Sequence, residues 1–274
     1  MSTIIILTDF SDSSRNALQY AASFSCDRAA ADLLLLNIYT VPPSYSGEAL
    51  SLAAVRDAVA DSGRLLQEEL EWAQGQFPGI SFRHRAVAGN FIASLQEQIS
   101  QEQAGLLVMG SPAGYGEMNQ WDVDSLHALT DLTIPVLTVP RAVQYHPILH
   151  IAFACLPSTI DAHSPFAAIR QLLAVTGAQL HVVTVEVPGQ AYQEGALEGI
   201  SLLHGELQEP GTAYHSITET HVVNAIAHFV EEQHIDLLLV MPGRHGLWYN
   251  LFHKSHTRQL ARLNLIPVIA LHGI

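Results

Sequence analysis

The sequence predicts two tandem α/β domains, each an open parallel sheet wrapped by helices. Three observations carry this reading. Apolar runs such as I-I-I-L (4–7), L-L-L-L (33–36) and L-L-V-M (106–109) are continuous rather than alternating, which marks strands buried on both faces of a parallel sheet. Stretches with apolar residues at helical spacing separate these runs, and right-handed crossovers between parallel strands place such helices on the sheet faces. The whole order of runs and helices then occurs a second time along the chain.

In the first copy, residues 4–11 give a strand that ends in T-D-F-S. Ser and Asp candidates for a helix cap follow, and Ala17, Leu18, Ala21 and Ala22 share one face of the helix they open. Strands are expected at 33–42 and 82–87, with a long mixed polar and apolar segment at 48–75 between them. A helix around Phe91–Ile99, a strand at 104–110, an irregular stretch and a strand at 133–140 close the copy. The second copy runs as a strand at 150–157, a helix over 165–175, strands at 180–188 and 213–220, a helix around 222–233, and strands at 235–243 and 265–272. The pairs Asp9/Cys155 and Pro42/Pro188 share an offset of 146 positions, whereas Val108/Val240 and Pro135/Pro267 share 132. One segment is therefore fourteen residues shorter in the second copy, as a trimmed loop or a trimmed helix. The non-periodic R-A-V-Q-Y-H-P at 141–147 separates the copies, which sets domain limits of 1–141 and 147–274.

Composition removes several function classes. A formal net charge of −14, from 26 acids against 12 cations, opposes binding to nucleic acid and to anionic membrane surfaces. No run of eighteen apolar residues is present to span a bilayer, and the start lacks the basic region of a signal peptide, so the chain is expected to be cytoplasmic. Cys26 and Cys155 are too few for a disulfide framework. Twelve of the fifteen histidines lie from His150 onward, but His221, His228 and His234 are seven and six apart and His253/His256 three apart, spacings that do not make a zinc site. The chain also lacks G-x-S-x-G, H-E-x-x-H and a G-x4-G-K-[ST] loop.

A strand ending T-D-F-S, a strand ending V-M-G, a glycine-containing loop and then I-P-V-L-T-V resemble the universal stress protein family, once per half. The resemblance implies flavodoxin-like five-stranded sheets. It also implies pairing through the last strands, here an intramolecular pseudo-dimer of residues 134–140 and 266–272, with a further homodimer as the next level of assembly. The family includes ATP binders and non-binders. Binders carry an Asp at the end of the first strand for the adenine side and a loop G-x2-G-x9-G-[ST] for ribose and phosphates. In such a loop glycines let backbone N–H groups approach oxygens, and the Ser or Thr opens a helix whose positive end faces the anion.

Each half matches that pattern in part. In the first, Asp9 takes the adenine-side position and Ile38 lies near the second-strand position that contacts the base. Gly110 and Gly114 are separated by three residues instead of two, Asp122 or Asp124 stands where the third glycine belongs, and Ser125 takes the hydroxyl position in one register. A carboxylate beside a phosphate is repulsive unless a metal intervenes. In the second half, Gly243 and Gly246 have the two-residue spacing, and Ser255 is retained as a helix cap. Lys254, the only lysine, replaces the third glycine after a gap of seven residues, and Cys155 replaces the Asp. The expected function is stress-associated regulatory binding without turnover, with degenerate nucleotide sites, weak ATP binding or none, and phosphate or another small anion at the second loop. Two alternatives stand: a protein that binds ATP (or AMP), or slowly hydrolyses ATP, using the first half, and a structural adaptor for a protein partner.

Overall fold

In the computed structural model, residues 3–26, 32–39, 52–111, 132–186, 195–220, 222–241 and 266–272 are described. They fall into two compact units, the first over residues 3–111 and 138–145, the second over 132–137 and 146–272.

The first unit begins with β1 (Ile4–Leu7), α1 (Asp12–Cys26), β2 (Asp32–Tyr39), α2 (Leu52–Gln76), β3 (Ser81–Ala88), α3 (Phe91–Glu102) and β4 (Leu106–Gly110). β1 lies between β2 and β4, β2 pairs outward with β3, and all three pairings are parallel. The end of β5 (Val136–Val139) follows β4 in the order β3-β2-β1-β4-β5, with the Val139 carbonyl accepting from the Ser111 N–H at 2.8 Å. Ile5, Ile6, Leu7 and Leu33–Leu36 are buried, as continuous apolar runs in a doubly covered sheet require. Helix α1 buries Ala17, Leu18, Ala21 and Ala22, the face its spacing predicts. Asn16 of α1 donates to the carbonyls of Pro140 and Val143 at 2.9 Å each, and Tyr145 packs edge-on against Tyr20. Helix α3 starts at Asn90, whose side chain accepts from the Ala93 N–H, and stops at Gln103 in the left-handed region.

The second unit holds β6 (His150–Cys155), a 3-10 turn (Pro157–Thr159), α4 (Phe166–Thr176), β7 (Gln179–Glu186), α5 (Ala196–Glu206), β8 (Ala213–Thr218), α6 (Val222–Glu232), β9 (Leu237–Val240) and β10 (Val268–Ala270). Its order is β10-β9-β6-β7-β8, again parallel. Each unit thus repeats one flavodoxin-like topology. The fourteen-residue deficit is located in a helix: α2 has 25 residues and its counterpart α5 has 11.

Candidate functional site

In an open parallel sheet, ligands bind outside the carboxyl ends of strands where the strand order reverses. In the first unit β1 continues to β2 and β3 on one side and to β4 and β5 on the other, so the reversal falls between β1 and β4. Asp9 follows the end of β1, and Gly110 is the last residue of β4. The topology therefore brings both sequence-predicted residues to the switch point.

The turn carrying Asp9 is held from several sides. The Asp9 Oδ1 accepts from the Ser11 backbone N–H at 3.0 Å and from the Ser11 hydroxyl at 2.6 Å. The Ser11 Oγ in turn accepts from the Ser14 N–H at 3.2 Å, capping α1. The carboxylate thus stands at the positive end of a fifteen-residue helix, where a negative charge is favoured. Between Asp9 and Ser11 the chain passes through Phe10 at φ 65°, a left-handed conformation that is costly for a residue with a bulky side chain. Gly110 closes the other flank. A Cβ there would come within 2.6–2.7 Å of the Oγ, carbonyl carbon and carbonyl oxygen of Ser13, so only glycine lets β4 approach the start of α1 this closely. The Ser13 hydroxyl donates to the Ser111 carbonyl at 2.8 Å, clasping the same junction.

Beneath this turn lies a buried polar network outside the sequence-predicted set. The Thr8 hydroxyl donates to Glu69 Oε2 at 2.9 Å, accepts from the Phe10 N–H at 3.0 Å and lies 3.2 Å from the Ser14 hydroxyl. The Asn37 amide donates to the Thr8 carbonyl at 2.8 Å, and the Ser62 hydroxyl donates to Asn37 Oδ1 at 2.7 Å. Glu69 is 2% exposed, and its Oε1 has no hydrogen-bond partner; the Arg15 Nε stands 3.5 Å away. The Arg15 guanidinium also lies over the Trp72 ring at 5.4 Å. Burial pushes the Glu69 carboxyl above its ordinary range, and Asp9 adds to this, against the Thr8 hydrogen bond and Arg15, which favour the anion. A raised native pKa means that this group's stabilisation is complete below the ordinary Glu range and is lost as pH rises through the native value. Glu69→Gln keeps an acceptor for Thr8 without the charge. It is expected to raise the denaturant midpoint at pH 7 and give no gain at pH 4; a loss at pH 7 would contradict this.

The remaining predicted residues divide by location. Ile38 lies near the end of β2, buried and paired in register with Val87. Gly114, Ser125, Gly243, Gly246, Lys254 and Ser255 lie outside the described residues. In the second unit the corresponding reversal falls between β6 and β9. There Cys155 ends β6, fully buried, with its thiol pushed up to about 12 by desolvation. It is neutral at physiological pH, so it offers neither a carboxylate-like partner nor a reactive thiolate. Ten residues, including the 3-10 turn, separate β6 from α4, whereas four separate β1 from α1. Among the described residues no group of three or more His, Cys, Asp or Glu is arranged to hold a metal ion, and no helix is long and apolar enough to cross a membrane.

Each unit has a flavodoxin-like parallel sheet, and the first places a carboxylate and a close-approach glycine at its switch point. Residues 1–118 match the model of the Universal stress protein family. The fold is shared with a universal stress protein from Archaeoglobus fulgidus, at TM-score 0.70 and 14% identity over 98% of both chains. A putative universal stress protein from Pseudomonas aeruginosa aligns at TM-score 0.55 and 14% identity, over 100% of this chain and 94% of that one. No curated protein matches the chain.

Proposed function

We propose that the chain is a stress-response regulatory binding protein whose two units, 1–141 and 147–274, have diverged in ligand chemistry. The observation that carries this reading is the contrast at the two switch points. The first presents the Asp9 carboxylate beside Gly110, and the second presents the neutral, buried thiol of Cys155. A carboxylate at the end of the first strand suits the donor edge of a purine such as that of ATP or AMP. One of its oxygens is already committed to Ser11, so the affinity is expected to be weak. In the second unit the sequence offers the cation Lys254, the glycines Gly243 and Gly246 and the cap candidate Ser255 to a phosphate or another small anion without a base.

Calorimetric titration of the full chain with ATP, AMP and inorganic phosphate, with and without Mg²⁺, tests this reading. Nucleotide binding is expected with a dissociation constant well above micromolar and to fall at least about tenfold in Asp9→Ala, a loss of about 1.4 kcal/mol. Phosphate binding is expected to fall in Lys254→Ala and to persist in Asp9→Ala. Sub-micromolar ATP affinity would contradict the degenerate site, and phosphate binding indifferent to Lys254→Ala would remove the anion site. Steady hydrolysis abolished by Asp9→Ala would favour the enzymatic alternative.

A further inference from the structure

Three histidines far apart in sequence meet on one face of the second unit's sheet. The register pairs Ala152 with His181 and Val183 with His215, so alternation places His150, His181 and His215 on the same side. His150 Nδ1 lies 3.3 Å from His181 Nε2, and His181 Nδ1 lies 3.2 Å from His215 Nε2. The His181 and His215 ring centroids are 5.3 Å apart and their planes 16° apart. Phe229 of α6 packs edge-on against both, at 6.1 and 4.7 Å. The central ring, His181, is 5% exposed.

The hydrogen-bond arithmetic of this ladder is restrictive. A neutral imidazole has one donor and one acceptor nitrogen, so both contacts are made only when all three rings point their protons the same way. One added proton can occupy the bare outer nitrogen of the end ring that donates into the ladder, His150 Nε2 or His215 Nδ1 according to the direction, and leave both contacts intact. A second must enter a contact that already holds a proton, setting two N–H donors against each other. We propose that the His150–His181–His215 ladder is a proton-responsive element that accepts one proton intact and is parted by a second, loosening α6 from β7 and β8.

Among the described residues the surroundings hold no ion-pair partner for the added charge. Across β6, β7 and β8 the other residues on this face are Ala152, Ala154, Gln179, Val183, Val185, Ala213 and Ile217, none of which titrates. On the α6 side, an open cleft of about 510 Å³ is lined by His215, His228, Glu219 and Glu232. At the start of β6, Asp236 accepts from the backbone N–H groups of Leu149 and His150 and has His146 at 3.6 Å. Among the described residues no carboxylate forms an ion pair with a ladder ring. Burial pushes His181 below the ordinary imidazole range, reinforced by His215 and His150, and burial also lowers His215. Depressed native values mean that stability is complete above the ordinary range near pH 6.5 and is lost as pH falls below it.

The test is a histidine-resolved NMR titration of the full chain, following ring tautomers from about pH 8 to 5. The expected result is that one ladder ring gains a proton while His181 keeps a single neutral tautomer until α6 amides lose protection. Independent titration of all three rings near pH 6.5 in an intact fold would overturn the proposal. A second measurement uses His181→Phe, which retains an aromatic ring beside Phe229. It should remove at least about half of the fall in the unfolding midpoint between pH 7.5 and 5.5. An unchanged pH dependence would equally overturn the proposal, and if the variant does not fold the native-chain titration decides alone.

Discussion

Gly199→Ala is expected to destabilise the second unit by about 1–3 kcal/mol, although the same exchange at an open helix position is favourable by about 1 kcal/mol. Gly199 is buried within α5, where the helix crosses the 3-10 turn after β6. A Cβ at this position would overlap the Pro157 carbonyl oxygen, lie 2.8 Å from its carbon and sit 3.3 Å from Ile160 Cβ. The obstacle is backbone, which cannot rotate aside as a flexible side chain would. Gly205, six residues on in the same helix, has nothing within 4 Å of its Cβ position and supplies the control. Gly205→Ala should stabilise by about 0.5–1 kcal/mol through helix propensity. Urea unfolding of the two variants side by side reads the sign, and a stabilised Gly199→Ala would mean that α5 does not press on this turn.

Phe153→Ala should cost more, about 3–5 kcal/mol, because the side chain is fully buried on a strand paired along both edges. β6 is the middle strand of its unit, so the cavity left by the ring is bounded by β7, β9 and the covering helices, which have little room to collapse. Phe153→Leu restores most of the volume and is expected to recover more than half of the loss. Similar losses in both variants would point to a specific ring contact in place of filled volume.

The strands were legible because parallel sheets buried on both faces demand continuous apolar runs, and runs such as Leu33–Leu36, bounded by turn residues, meet that demand. The duplication was legible through its two offsets, but only the structure shows that the missing residues come from a helix. Asp9 and Gly110 could be placed because strand ends are marked by turn residues. Glu69 is masked in the sequence by Glu68 and Glu71, an acidic stretch that reads as a solvated face. The signal for it was present: Leu66, Glu69, Leu70 and Ala73 fall at the spacing of one helix face, which makes Glu69 the polar member of a buried stripe. The histidine ladder had no such signal. Its members are 31 and 34 residues apart, and only the strand register brings them together.

That the first unit's switch point is the nucleotide-recognising site is tested most directly by backbone amide NMR shifts during AMP titration of the full chain. The predicted result is a cluster of shifts at Asp9, Phe10, Ser11 and Gly110, saturating together and disappearing in Asp9→Ala. Shifts centred on Cys155 and Val240, the ends of β6 and β9, or a first unit left silent while calorimetry reports binding, would contradict it.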